Sequence, residues 1–275
     1  MSVLRRLMNA FGLFLALCCA KLYAESVTNC SVLTATGNSE YPPFLWRDAA
    51  EPNQLQGSNR LIIDELSRRI KMPILLQHVG PWSRAQSEVK TGRVDIMAGV
   101  FYTRHRADYM DYFTPVLLHT KSVVWQRKSA AFAYHGKEDL IGHWGVTVIN
   151  NSFGEEFDRF ATEQLNILTV ASLSQALKML ASNKVDYALY EMRPAQAYAS
   201  LLRVDDQLAA VEPHISSEGL YLTLSKASPC NTSFIRHQIA IALQDMSQGG
   251  FMEQALQQGM EDWQSSSSQS LLIKD

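Results

Sequence analysis

The chain alternates short runs of branched and aromatic residues with longer stretches whose apolar positions recur at helical spacing. Cys30–Thr36, Ile74–His78, Val94–Met97, Val146–Ile149, Leu168–Val170 and Val185–Tyr190 read as strands. Between them, 59–71 reads as a helix with Ile62, Ile63, Leu66 and Ile70 on one face. Further helices fall at 82–91, 153–163 and 172–182, the last with Leu173, Leu177 and Leu180 in phase. Strands alternating with helices predict an α/β architecture with largely parallel sheets. The end of the chain differs. Glu218–Lys226 alternates like a strand, and Pro229 opens a helix with Ile235, Ile239, Leu243 and Met246 in phase. Gly249-Gly250 breaks it, a short helix reaches Trp263, and 264–275, with four consecutive serines, reads as a disordered tail.

One pattern occurs twice. A helix ends at Lys90-Thr91-Gly92 and Arg93-Val94-Asp95 enters a strand; a helix ends at Ala181-Ser182-Asn183 and Lys184-Val185-Asp186 enters a strand. Gly and Asn are the residues that best tolerate a left-handed helix cap. The echo predicts two similar lobes about 90 residues apart.

The first 24 residues follow another logic. Arg5 and Arg6 precede an apolar stretch from Phe11 to Ala20, and Ala24 offers a cleavage point. That is the layout of a secretory signal peptide, and the stretch is shorter than the roughly 20 residues a bilayer span needs. An anchor, a buried helix, or a lipoprotein signal at Cys18 or Cys19 are the alternatives. Taking Arg5, Arg6 and Lys21 from the 25 bases leaves 22 against 27 acids, so the mature net charge is −5. The mature chain keeps only Cys30 and Cys230, and in an oxidising compartment such a pair reads as one disulfide.

Composition narrows the classes. The chain has 275 residues, 47% hydrophobic and 19% charged, enough for a real core and against disorder. A slightly acidic balance argues against a general nucleic-acid binder. No phosphate-binding glycine loop, nucleophile elbow or His-Glu-x-x-His motif occurs, and the seven histidines lack ligand spacing. No catalytic residue, metal site or cofactor is expected.

Several segments in order resemble the family 3 extracellular solute-binding proteins, the amino-acid-binding components of bacterial ABC transporters. They are Tyr41-Pro42-Pro43-Phe44, Gly92-Arg93-Val94-Asp95, Ala98-Gly99-Val100, Thr103-Arg104-His105-Arg106, Tyr112-Phe113-Thr114-Pro115, Asn151-Ser152, and Val185-Asp186 running to Glu191. The resemblance covers about residues 30–263. It implies the type II periplasmic-binding-protein fold, two lobes that are each a mostly parallel sheet flanked by helices. The lobes would be 25–118 with a return over 220–263, and 119–219. It implies a monomer in the periplasm that closes on an amino acid or other small carboxylate and meets an inner-membrane ABC permease.

The site residues follow residue by residue. Thr103 is a helix cap three positions before Arg106, whose planar fork suits a carboxylate. Gly99 would let backbone approach a ligand, or make a strand-end turn. Tyr41 and Trp82 would wall the site or pack in the core, as Phe44 would. Asn151 and Ser152 precede a helix whose N–H groups could hold an anion, although Ser152 with Glu155 also spells a capping box. Glu191 ends a strand where α/β sheets place ligand groups, and would meet an amine. Phe101, Asn38 and Asn151 depart from the family's usual hydroxyl, Asp and Gly. Two rivals stand beside this reading: an enzyme of the dehydratase type on the same scaffold with Glu191 as acid, and a module presenting ligand to a receptor. In such a lobe Cys30 and Cys230 fall at the same pole, far from the cleft, which allows the bridge between them.

Overall fold

A computed structural model describes residues 30–48 and 51–272; the expected signal peptide lies outside them. The elements, in chain order, begin with β1 (Leu33–Thr36), β2 (Glu40–Tyr41), β3 (Leu45–Arg47), β4 (Leu55–Gln56), α1 (Ser58–Ile70), β5 (Ile74–Leu76) and α2 (Trp82–Lys90). Next come β6 (Ile96–Val100), α3 (Arg104–Ala107), β7 (Met110–Tyr112), β8 (Leu118–Arg127), β9 (Trp144–Val148) and α4 (Glu155–Gln164). The chain continues through β10 (Asn166–Val170), α5 (Leu173–Ala181), β11 (Tyr187–Glu191), α6 (Met192–Leu201), β12 (Leu208–Ser225), α7 (Ser233–Gln248) and α8 (Phe251–Leu272).

One nine-stranded sheet runs through the molecule in the order β10-β9-β11-β8-β12-β6-β1-β5, with β7 beside β12; β2, β3 and β4 form a small separate sheet. At each end three strands are mutually parallel: β10, β9 and β11 at one, β6, β1 and β5 at the other. The two central strands β8 and β12 run antiparallel to their neighbours. β12 pairs with β8 up to Leu220 and with β6 from Tyr221, so one strand serves both halves. These halves are the two lobes of a periplasmic-binding-protein fold. The core of the first contains Leu33, Ile62, Ile63, Leu66, Ile96, Ile239 and Leu243; that of the second contains Val124, Leu140, Phe153, Phe157, Tyr187 and Leu189. Each such side chain contributes about 1.5–3 kcal/mol by leaving water.

The repeated pattern does the same physical work in both lobes. Gly92 and Asn183 take left-handed φ values of 72° and 58°. The N–H after each reaches back five residues to a helix carbonyl, Arg93 to Glu88 at 3.0 Å and Lys184 to Met179 at 3.0 Å, which is the Schellman closure. The aspartate that follows then caps a neighbouring strand. Asp95 Oδ2 accepts from Thr34 N and Thr34 Oγ1, both at 2.8 Å, and its other oxygen accepts from the Ser228 hydroxyl. Asp186 Oδ2 accepts from Trp144 N at 2.8 Å.

Three expectations change, and one helix is new. α8 continues through 264–272 where a disordered tail was expected; Ser265 and Ser266 bond back to the carbonyls of Glu261 and Asp262, a use of hydroxyls compatible with helix. The helix after Pro229 begins at Ser233, where the Thr232 hydroxyl accepts from Ile235 N. β12 starts ten residues before Glu218, in a stretch without clean alternation. α6 follows Glu191 directly, with Pro194 in its first turn, where proline costs no helix bond. Cys30 and Cys230 are disulfide-bonded.

Asp95→Ala removes three bonds to a buried carboxylate, and hydrogen bonds to charged groups are worth about 1.5–3 kcal/mol each before relaxation. We expect a loss of about 3 kcal/mol or more in chemical denaturation. Asp186→Ala, at a carboxylate 43% exposed, should cost about 1 kcal/mol. Equal effects at the two sites would contradict this reading of the echo.

Candidate functional site

The lobes meet at a small cavity of about 20 Å³, room for about one water. The first lobe lines it with Asn38, Tyr41, Trp82, Gly99, Val100, Phe101, Arg106 and Leu220, and the second with Asn151 and Glu191. Seven of the eight expected ligand-site residues therefore share one cavity. The eighth, Ser152, lines an adjoining outer pocket of about 660 Å³ together with Arg106 and Asn151.

Arg106 sits at the centre. Thr103 caps α3 by accepting from Arg106 N at 3.1 Å, which fixes the side chain's origin. Arg106 is 4% exposed, and its guanidinium lies 5.5 Å from the centre of the Trp82 ring. It donates from Nη1 to Phe101 O at 3.2 Å, from Nε to Gln86 Oε1 at 3.3 Å, and from Nη2 to Asn150 O at 2.9 Å. The last bond crosses to the second lobe. All three acceptors are neutral, and no carboxylate pairs with Arg106 among the described residues. Burial lowers its pKa, opposed by the tyrosines Tyr112 and Tyr109 and by Asp158 and Glu191; an arginine still stays charged.

Glu191 is the counterpart from the second lobe. It ends β11 opposite Ser122, is 1% exposed, and its Oε2 has no hydrogen-bond partner among the described residues. Burial pushes its carboxyl up to about 7, offset only in part by its own backbone, the Asn151 amide and the charge of Arg106. Asn151 favours the charge by proximity, yet its Nδ2 makes no hydrogen bond of ordinary geometry.

Gly99 is required by the backbone. Its φ is +95°, and a Cβ there would lie 2.5 Å from Asn59 Nδ2. Tyr221 pairs with Val100 while Leu222 pairs with Ala98, so Gly99 is the extra residue of a bulge on the cavity wall. Tyr41 lies against Phe44 and, across the lobes, against Tyr190, with ring centres 5.2 and 6.2 Å apart. Phe44 is fully buried core. The capping box expected at Ser152 does not form. α4 starts at Glu155 after Gly154 without a side-chain cap. Ser152 instead bonds Asp158 one turn into the helix, which also accepts from Phe153 N at 2.8 Å. Glu155 is drawn away to the first lobe, accepting from Arg104 N at 2.6 Å and pairing with its guanidinium at 3.2 Å. Gln86 and Asn150 were not anticipated. Gln86 is a polar residue on a helix face, and Asn150 acts through its carbonyl, which leaves no mark in a side-chain pattern.

This fold and cleft define a two-lobe solute-binding protein. Over residues 33–260 the chain matches the bacterial extracellular solute-binding proteins, family 3, and it belongs to that family. No curated protein sequence matches it significantly. Solved structures of the same fold include a histidine kinase sensor domain with similarity to periplasmic binding proteins, at 20% identity and TM-score 0.73, covering 83% of this chain and 96% of that one. The amino acid ABC transporter substrate-binding protein AbpA from Streptococcus pneumoniae, bound to L-arginine, is 16% identical with TM-score 0.72, covering 88% and 98%. An ancestral arginine-binding protein bound to arginine is 17% identical with TM-score 0.70, covering 85% and 98%.

Glu191 makes stability depend on pH. Its folded value of about 7 stands above the ordinary 4.5, so between these the folded protein holds a proton that the unfolded chain releases. The contribution is fully present below about 4.5, falls as pH rises, and is gone above about 7, a change of roughly 3 kcal/mol. Glu191→Gln should flatten that part of the profile in denaturant titrations at pH 4.5–8. An unchanged slope in the variant would contradict the buried, unpaired carboxyl.

Proposed function

We propose that the protein captures a small carboxylate-bearing ligand, an amino acid or derivative, by closing its lobes, and delivers it to an ABC permease. The observation that carries this reading is a guanidinium and a carboxyl lining one cavity. Arg106 comes from one lobe and Glu191 from the other, each buried and neither in an ion pair among the described residues. A ligand carboxylate would take guanidinium N–H groups left over from the three protein acceptors, and a ligand amine would meet Glu191. Only the closed arrangement offers both, so the ligand favours closure through its differential affinity. The small cavity requires the lobes to part for entry and to reseat around the ligand. The arginine-bound relatives of the same fold support an amino-acid-like ligand.

In this reading residues 1–24 are a cleaved signal peptide and the mature protein is a periplasmic monomer. Residues 25–118 and 220–263 form the first lobe and 119–219 the second. The sensor-domain relative supports a variant in which the closed form is read by a receptor. A second reading rests on the raised pKa of Glu191, which suits a general acid. It requires turnover of a bound carboxylate that Glu191→Gln abolishes while binding persists.

A thermal-shift screen of amino acids and small carboxylates, followed by calorimetry, tests the proposal. Arg106→Ala should weaken the tightest binder about a hundredfold or more, because breaking a buried charge pair costs about 3–5 kcal/mol. Affinity within about threefold of the parent would overturn the role of Arg106.

A further inference from the structure

A second chamber of about 240 Å³ adjoins the Arg106 cavity and shares Asn38 and Trp82 with it as walls. Asn38, common to both linings, donates from Nδ2 across the lobes to Tyr190 OH at 2.9 Å, and Tyr190 lines the chamber. The chamber is large enough for a short side chain and far larger than the cavity it extends.

Its lining includes a buried donor without an acceptor. Trp82 is 6% exposed, and its Nε1–H, which can only donate, reaches no acceptor among the described residues. His78 Nδ1 is also buried without a partner. Burial first, and then the charge of Arg47, hold the His78 pKa down, so the ring is neutral near pH 7 and has one N–H and one acceptor nitrogen. Arg47 makes no ion pair among the described residues. The chamber's one carboxylate, Glu40, is already used. It accepts from Leu173 N at 2.7 Å and from the Ser174 hydroxyl at 3.5 Å, at the start of α5 in the opposite lobe. Trp82 Nε1–H remains an unspent buried donor, and a buried donor left unpaired is costly.

Resting on the reading that Arg106 and Glu191 take the ligand's carboxylate and amine, we infer that the ligand also carries a short tail ending in an acceptor oxygen, a carboxamide or carboxylate, seated against Trp82 in this chamber. A lysine or arginine tail ends in donors only and cannot satisfy Trp82 Nε1–H. An alanine side chain does not reach the chamber. The specificity expected here is thus opposite in hydrogen-bonding sense to that of the arginine-bound relatives.

Calorimetry with L-glutamine, L-glutamate, L-arginine, L-lysine and L-alanine provides the test. Glutamine or glutamate should bind at least about tenfold more tightly than arginine, lysine and alanine, as one hydrogen bond to a buried donor allows. Trp82→Phe keeps a ring and removes the donor, and should lower the ratio of glutamine (or glutamate) to alanine affinity about tenfold. Ala171→Phe, at an exposed position on the chamber wall, should lower the same ratio by filling the space, without relying on a change at Trp82. Arginine or lysine binding as tightly as glutamine and glutamate, or a ratio unmoved by both substitutions, overturns the inference and leaves the carboxylate-binding proposal standing. If none of the five binds and the wider screen finds no small carboxylate, that proposal fails and this inference with it.

Discussion

A guanidinium buried without a carboxylate is the constraint around which the cleft is arranged. Moving a charge from water into protein costs several kcal/mol unless hydrogen bonds and an opposite charge repay it. Arg106 receives the hydrogen bonds: Phe101 O and Gln86 Oε1 from its own lobe, and Asn150 O from the other. It does not receive the opposite charge. The Thr103 cap, the bulge at Gly99 and the Trp82 ring all fix where that charge stands. The second lobe answers with Glu191, a carboxyl that burial has brought to about 7. Each lobe therefore holds half of an electrostatic account that a bridging zwitterion would complete.

The remaining contacts between lobes are modest. Arg104–Glu155 is exposed at the mouth, and such pairs are worth about 0–1 kcal/mol. Asn38–Tyr190, Gln86–Asn150 and Glu40–Leu173 are single hydrogen bonds, each worth about 0.5–1.5 kcal/mol, somewhat more where a carboxylate accepts. Ring contacts add to them, Tyr41 with Tyr190 and Tyr198 stacked on Trp263, each pair 6.2 Å between centres, and a ligand that binds the closed form better would shift the joint further toward it. The sheet supplies the articulation. β8 and β12 run continuously between the lobes, and their register shifts between Val211 and Ser216.

Much of this was legible in the sequence because it is local. Gly92 and Asn183 announce left-handed helix ends, and Asp95 and Asp186 follow at fixed spacing, so the echo between lobes could be read from eight residues. Apolar periodicity placed α1, α5 and α7. The candidate site residues came with the family resemblance, carried by short segments such as Thr103 before Arg106, and the fold brings most of them to one cavity. Other parts depend on tertiary context. The first half of β12 is held as a strand by pairing with β8; its own pattern lacks alternation and is interrupted by Pro213. Ser152 and Glu155 spell a capping box, but Asp158 and Arg104 offer each a better partner in the fold. Asn150 contributes a carbonyl, which every residue has. The serine run suggested disorder, whereas bonds to Glu261 and Asp262 let it continue a helix.

The central claim is that a ligand held by Arg106 and Glu191 closes the lobes. Leu75 on β5 and Leu168 on β10 stand at opposite edges of the sheet, 56% and 39% exposed, and the disulfide of Cys30 and Cys230 keeps those thiols from competing for label. Spin labels at cysteines introduced in place of Leu75 and Leu168 report the distance between lobes by pulsed electron resonance. With a probe that calorimetry shows to bind, the distribution should narrow and shift to one closed distance at saturation, and the same concentration should fail to shift it in Arg106→Ala. A distribution unchanged at saturation in the parent protein would contradict the account.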